Sequence, residues 1–595
     1  MKNYEKIDLE KIYKTQTLNI VKIDNGQYKL NSKYKVGKVV LFNNIAMLNL
    51  ANSSQKIYIE FDKLNGAYND DIVVVQVAFN PKGKTKGKVV QIFKSSGNEV
   101  LCYKTREGIL TVKENIPMPK LKLDVIDGDV FVLFNSEITQ HFGNISNPKT
   151  DEKISLYLGN KYYRLKDTNH KIHNVMKGGE NFSKRTDLTD LAFCTIDPAS
   201  AKDHDDAIYF DEKSSTLFVA IADVSAFVQE GSELDMDAKK KGFSIYLPHK
   251  VMPMLPFELS ADLCSLVPNQ KRFAYVFKMK LDLKSTRVEK AELFEAVIES
   301  KNKFSYEEID DILEKNDTSN EFVKFYNITK QFRNKRLKNG YDFRNDETRL
   351  ILNSEELLEK VKVEFSTPSH SLVEECMLLA NQEAAKRLKS RGIFRVHDEP
   401  TTNKIKKLID EVNILGLKAE LKKDVHSTII SIQQKARNVG LEHEVDELII
   451  QSQQQAHYGS TKKPHFGLGF TDYSHFTSPI RRYSDLVLHR LLKSSNIPED
   501  LEDICTNIRD VEREISSLVW DYEDRKYARY LSDHIGDVYM VTLIDTDNRI
   551  GKLDGQVKGA RVYLENYSGE KLFSTLQVRV VSSDIISKKV VASII

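Results

Sequence analysis

The sequence predicts a multidomain protein in which small β-barrels flank one large mixed α/β body. Three observations carry this. The chain has 595 residues, well beyond one ordinary domain. Its first 170 or so residues and its last 67 read as short β-type runs separated by turn signals. Between them, strand-like runs alternate with long amphipathic helical patterns.

The first set of runs includes KVVLFNN, AMLNL, KIYIEF, DIVVVQVAF and GKVVQIF, punctuated by NG, NPKG and SSGN. A second set follows as EVLCYK, GILTV, LKLDVIDGDVFVLF and KISLYL. Two small barrels of the oligonucleotide-binding type fit this spacing, as would a generic small β domain. The expected boundaries are 1–50 for a short N-terminal extension of unclear fold, 51–97 for the first barrel and 98–172 for the second.

Residues 173–528 form the expected α/β body. Within it, SLVEECMLLANQEAAKRLKS reads as an amphipathic helix with Leu372, Val373, Cys376, Met377, Leu379 and Ala380 on its apolar side. The stretch from LEDIC to YARYL reads as a long helical region. Residues 529–595 return to strands and turns, and one further barrel is expected there.

Composition narrows the function classes. No run of 18 uncharged apolar residues occurs, so a membrane span is not expected. MKNYEKIDLEKIYK carries charges where a signal peptide needs an apolar stretch, which makes the cytoplasm the default compartment. Five scattered cysteines with no CxxC pair disfavour a disulfide scaffold or a cysteine zinc site. With 88 basic and 86 acidic residues the net charge of +2 neither requires nor excludes nucleic acid.

The segment TIDPASAKDHDDAIYF, residues 195–210, concentrates four carboxylates between apolar runs. Strand-like LAFCTI leads into Asp197 and strand-like AIYF leaves Asp206, which predicts a strand, a doubling loop and a return strand. Alternation along extended chain lets Asp203 and Asp205 face the same way while Asp206 points differently. Converging carboxylates repel one another and resist ionisation. A divalent cation bound by oxygen ligands, Mg²⁺ or Mn²⁺, removes that conflict; a solvated surface loop is the alternative. His204, inside the cluster, is expected in a structural or solvent-facing role.

A metal–phosphate site needs cations, and SHFTSPIRRYSDLVLHR supplies them. Pro479 fits a first helical turn with Thr477 or Ser478 near the cap, placing Arg481 and Arg482 near a helix N-terminus. A bound phosphate would suit both the helix N–H groups and the guanidinium forks. A salt bridge to Asp485 is the plainer reading. Tyr246 and Tyr306 can stack bases or serve as packing residues. Of Glu374 and Glu375, one should face outward and the other can reach the acidic cluster.

These segments together resemble the ribonuclease II/ribonuclease R (RNB) family of 3′-to-5′ exoribonucleases. TIDPASAKDHDDAIYF is similar to its acidic metal motif, HFTSPIRRYSDLVLHRLL to its signature segment, and LPFELSADLCSLVPNQKR, LVEECMLLAN and FRVHDEP to three further catalytic stretches. HFTSPIRRY and FRVHDEP read more like ribonuclease R. The resemblance implies two cold-shock barrels, an RNB catalytic domain and a C-terminal S1-like barrel, here divergent. It implies Mg²⁺, with Mn²⁺ as a substitute, at Asp197, Asp203, Asp205 and Asp206, with Asp205 the residue whose loss most selectively stops cleavage. It implies that Arg481 grips the terminal phosphate with Arg482 beside it, and that Tyr246, Tyr306, Phe343 and Glu375, in preference to Glu374, contact RNA. The implied activity is processive hydrolysis of single-stranded RNA from its 3′ end to nucleoside 5′-monophosphates by a cytoplasmic monomer. A catalytically weak RNA-binding relative and a DNA exonuclease are the competing readings.

Overall fold

The structure is a computed structural model that describes residues 12–14, 19–42, 45–50, 56–78, 85–97, 99–118, 123–134, 137–159, 182–343, 347–494 and 497–595. Near the N-terminus a hairpin pairs Val21–Asp24 with Gln27–Leu30. Asn25 and Gly26 make its turn, both at positive φ (49° and 76°), as a tight two-residue hairpin loop demands.

A closed five-stranded barrel follows: Tyr34–Phe42, Ile45–Asn49, Lys56–Ile59, Ile72–Ala78 and Lys86–Lys94. Val39, Leu48, Ile57, Val73, Val75 and Val89 fill it. The barrel therefore starts at Tyr34, where a boundary at 51 was expected. Its first strand closes the barrel by pairing Tyr34–Lys38 with Ile72–Gln76, a long-range contact that local periodicity does not encode. Asp71 anchors the closure, accepting from the backbone N–H groups of Tyr68 and Ser96, each at 2.7 Å.

The expected second barrel is an open four-stranded sheet among the described residues. Its order runs Glu137–Asn144, Asp129–Phe134, Val100–Thr105, Gly108–Thr111. KISLYL, expected as a strand, belongs to a helix, Thr150–Gly159. Tertiary packing overrides its β propensity. Ile154 and Tyr157 are buried, and Ser155 Oγ donates to Asp521 of a distant helix at 2.6 Å. The rest of that predicted domain, 160–172, lies outside the described residues.

The body is built on a seven-stranded mixed sheet. Its strands are β1 (Thr186–Asp187), β2 (Cys194–Asp197), β3 (Asp206–Asp211), β4 (Thr216–Ala222), β5 (Lys271–Asp282), β6 (Arg287–Glu299) and β7 (Asn302–Ser305), in the order β1-β6-β5-β4-β3-β2-β7. Every residue of central β4, TLFVAIA, is buried, as expected of a strand covered on both faces. Helices α1 (Tyr306–Glu314), α2 (Glu321–Arg336), α3 (Pro368–Arg387) and α4 (Tyr483–Lys493) contribute to the same core. On α3, Leu372, Val373, Cys376 and Ala380 are buried and Met377 and Leu379 are partly so. All five cysteines are free and buried.

Helix α5 (Leu501–Ser532) runs unbroken for 32 residues. The expected boundary at 528/529 falls inside it, because Ala528 and Leu531 already belong to the core of the last barrel. That barrel, Val538–Asp545, Ile550–Leu553, Arg561–Glu565, Thr575–Asp584 and Lys589–Ile594, closes in the same strand order as the first. The α5 sequence DYEDRKYAR also holds the N-terminal sheet. Arg529 bonds buried Asp151 at 2.8 Å and Lys526 donates to Pro148 O at 2.9 Å. Buried charges are tolerable when paired and hydrogen-bonded in this way. Among the described residues no helix is long and apolar enough to cross a membrane.

Candidate active site

The acidic segment folds as strand, loop and return strand. β2 ends at Asp197 and β3 begins at Asp206, and the two strands pair antiparallel through Cys194 and Ile208. The loop between them is tied down by main-chain bonds. The N–H of Ala222 donates to Asp205 O at 2.8 Å, and the N–H of His204 donates to Ser265 Oγ at 2.9 Å. Ser265 comes from the segment ADLCSLVP, so one of the sequence motifs shapes the loop of another.

The SPIRR segment meets this loop. The N–H of Ile480 donates to Asp205 Oδ1 at 2.8 Å, and Arg481 Nε lies 3.4 Å from Asp205 Oδ2. The helix expected to start around Pro479 starts at Tyr483 instead. Pro479–Arg481 form a turn, and Arg482 precedes the helix in extended conformation. The turn is held by the carbonyl of Arg481, which accepts from Ser244 N–H at 3.0 Å, and by Tyr483 N–H, which donates to Gly242 O at 2.8 Å. Gly242 adopts φ +70°, and a Cβ there would lie 2.8 Å from Val511, so only glycine makes this close turn without strain.

The two arginines have different fates. Arg481 keeps 45% of its side chain exposed beside the aspartates and donates to Ser478 Oγ at 3.1 Å. Arg482 turns inward and forks onto Asp485 at 2.7 and 3.1 Å. Asp485 is fully buried and also accepts from Ser478 N–H and Ser484 Oγ, each at 2.8 Å. The salt bridge is thus the observed role of Arg482, and the RNA contact expected of it is not supported by its geometry.

The acids are electrostatically strained. Burial pushes the Asp205 carboxyl well above its ordinary range, opposed by the Arg481 charge and the Ile480 N–H. Asp206 is pushed up to about 7, first by burial and then by the charge of Asp197. Asp205 Oδ2 is a buried acceptor with no hydrogen-bond partner, which costs free energy unless something positive meets it. An oxygen-only donor set with mutually repelling charges, in which Arg481 approaches Asp205 Oδ2 without a hydrogen bond, fits a hard divalent cation. Asp197, Asp203, Asp205 and Asp206 are the residues that would hold it.

One tighter group lies elsewhere. Glu152, His249 and Glu356 bring their ligand atoms within 4.8 Å of one another, and the loop aspartates form no set that close among the described residues. Lys250 bonds Glu152 at 2.6 Å and Lys526 stands 4.0 Å from Glu356. The trio joins the helix Thr150–Gly159 to two hairpin turns, and Glu356 Oε2 within it is buried without a hydrogen-bond partner.

The aromatic residues divide as well. Tyr246 donates its hydroxyl to Asp203 Oδ2 at 2.8 Å while 42% of the residue stays exposed. Its phenol is raised by burial and by the Asp203 charge, so it remains a donor. Together they line a cavity of about 610 Å³ that includes Lys202 and Phe257. Tyr306 opens α1 one residue after Ser305, the register partner of Asp197, and stacks on His370 at 3.9 Å and 15°. Ser305 and Glu308 cap that helix reciprocally, which fixes the ring's position.

Phe343 lines a different cavity from Asp203 and Tyr246. It stacks near Tyr341 at 5.8 Å and lines a larger cavity of about 1340 Å³ with Glu374, Phe365 and Trp520. Glu375, preferred from sequence, is 3% exposed and accepts from Arg336 Nε at 3.0 Å. Glu374 is the member that faces the open cavity, paired with Arg333 at 2.7 Å. Helical neighbours point about 100° apart, so only one of the two can face the cavity. Sequence reasoning also missed His370, Arg333 and Trp520. Trp520, 63% exposed as the chain's one tryptophan, carried a visible compositional signal.

Comparison defines the class of this protein: the RNB domain family matches residues 185–496, and the chain belongs to that family. Within it the chain is similar to ribonuclease R. Ribonuclease R of Helicobacter pylori (strain ATCC 700392 / 26695) is 34% identical over 474 residues, covering 76% of this chain and 72% of that protein. The J99 strain's ribonuclease R is 36% identical over 415 residues, covering 66% of this chain and 63% of the relative. The apo form of Mycoplasma genitalium RNase R superposes with a TM-score of 0.77 at 25% identity, covering 94% of this chain and all of that one. Its complex with double-stranded RNA superposes at 0.74 with the same identity, over 89% of this chain and 99% of that one.

Proposed function

We propose that this protein is a Mg²⁺-dependent, processive 3′-to-5′ exoribonuclease that hydrolyses single-stranded RNA to nucleoside 5′-monophosphates. We assign it to the cytoplasm as a monomer, with Mn²⁺ able to substitute. The observation that carries the reading is the meeting of the acidic loop and the SPIRR turn, in which Asp205 touches both Ile480 N–H and the Arg481 guanidinium. A phosphodiester placed there would find anionic metal ligands on one side and a partly exposed fork donor on the other. Ribonuclease R relatives and the RNA-bound Mycoplasma homologue support the choice of RNA as substrate.

In this reading the strand enters with its 3′ end toward the aspartates. Tyr246 and the Tyr306–His370 pair offer flat faces to the last bases, whose stacking is indifferent to sequence. Arg481 contacts the phosphate and opposes the charge that develops on it. Mg²⁺ held by the four aspartates would screen the phosphate charge and make water a better nucleophile. Water adds to phosphorus, the P–O3′ bond breaks, and the 3′-oxygen of the shortened strand takes up a proton. The small barrels are assigned as oligonucleotide-binding, cold-shock-like at the N-terminus and S1-like at the C-terminus. Both closed barrels share one strand order, consistent with that architecture.

The test is a 5′-labelled single strand incubated with the purified protein, alongside a DNA of the same sequence. Conversion of the full-length strand to short 5′-labelled end products without a ladder of intermediates, release of unlabelled mononucleotides, and arrest by EDTA with recovery on added Mg²⁺ are expected for RNA alone. Degradation that continues in EDTA, or equal digestion of DNA, would overturn the reading.

A further inference from the structure

We propose that His204 is a positioning residue that holds Asp197 in the orientation needed to bind the divalent cation; this rests on the metal-dependent reading above. His204 sits between Asp203 and Asp205, yet it is 2% exposed. Its Nδ1 lies 2.6 Å from Asp197 Oδ2. An ionised carboxylate can only accept, so the ring donates Nδ1–H and Oδ2 is the oxygen it engages. That leaves the second Asp197 oxygen as the one free to take part in the site.

The ring is itself held from both ends of its backbone. Its N–H donates to Ser265 Oγ at 2.9 Å, and its carbonyl accepts from Leu266 N–H at 3.0 Å. Ser265 Oγ in turn donates to Lys202 O at 2.8 Å. His204 therefore ties Asp197 to the chain segment that carries the other three acids, with the 265–266 segment anchoring its backbone. Outer groups that hydrogen-bond a metal ligand fix its geometry, and their loss weakens binding by about 10–100-fold.

A packing role would be met by any buried side chain of similar volume. A positioning role needs an N–H where Nδ1 stands. His204→Asn places an amide near that position, His204→Gln places it near Nε2, and His204→Phe fills the volume without a donor. The experiment is Mn²⁺ titration of the intact chain by calorimetry, with RNA affinity measured in EDTA and turnover measured against Mg²⁺ concentration. His204→Phe and His204→Gln should weaken Mn²⁺ by about 10–100-fold and raise the Mg²⁺ needed for turnover, with RNA affinity unchanged. His204→Asn should stay close to the parent. Equal Mn²⁺ affinity in parent, Phe and Gln variants would overturn the proposal, as would an Asn variant as weak as the Phe variant. A parent chain that binds no Mn²⁺, or whose binding ignores Asp197→Asn, would instead remove the metal reading and this inference with it.

Discussion

The backbone N–H of Ile480 donates to Asp205 Oδ1 at 2.8 Å, joining two segments 275 residues apart in the chain. This bond leaves the other oxygen of Asp205, buried and without a hydrogen-bond partner, toward Arg481. The acidic loop is therefore shaped by the same segment that brings Arg481 beside it.

Replacing Asp205 with Asn keeps an oxygen to accept from Ile480 and removes the charge. Turnover of single-stranded RNA should fall by about a hundredfold or more, with RNA binding in a gel-shift assay largely kept. Normal degradation of a labelled strand by this variant would show that Asp205 is not central to cleavage.

Adjacent arginines should respond in opposite ways. Arg481→Ala should lower kcat by about a hundredfold while leaving the unfolding midpoint near the parent's. Arg481→Lys should also lose turnover, because a point charge does not reproduce the fork. Arg482→Ala leaves Asp485 buried and short of its cation, so it should cost about 3 kcal/mol of stability in urea unfolding. A stable Arg482→Ala protein with selectively weakened RNA binding would reverse this assignment.

The two glutamates of α3 separate by the same logic. Glu375→Ala strands the nearly buried Arg336 guanidinium (6% exposed) and should destabilise by about 3 kcal/mol. Glu374→Ala breaks a half-exposed pair and should cost less than about 1 kcal/mol. Its effect should appear as a changed KM for RNA, read from initial rates against substrate concentration.

His489 gives the protein an acid-sensitive core. Its Nε2–H donates to Phe476 O at 2.8 Å and its Nδ1 is buried without a partner. Burial lowers its pKa from 6.5 to about 4. The unfolded chain takes up this proton first, so stability is whole above pH 6.5 and falls as pH drops toward 4. The contribution lost is about 3 kcal/mol at most. Urea unfolding at pH 7, 6 and 5 should show a shallower pH slope in His489→Phe than in the parent. Parallel slopes would exclude His489 as the source.

Much of the site was legible because it is local. Asp197 to Asp206 spans ten residues, and the apolar runs on each side predict the strands that bring its ends together. Tyr246 and Tyr306 do reach this loop, the first by a hydrogen bond to Asp203 and the second beside the register partner of Asp197. Phe343 lines a different cavity, and KISLYL is helical where Ser155 meets α5. The first barrel was cut at residue 51 because nothing near Tyr34 signals that its partner is Ile72–Gln76.

The sequence by itself determined the order of β-rich ends around a mixed body, the acidic loop, and the family, since ordered motifs and short-range alternation are properties of the chain alone. Tertiary structure decided which member of each adjacent pair stays open: Arg481 beside the aspartates while Arg482 pairs with Asp485, and Glu374 at the cavity while Glu375 pairs with Arg336. Neighbouring side chains leave the backbone in different directions. Which direction is inward depends on register against partners hundreds of residues away, and that information exists only once the chain has folded.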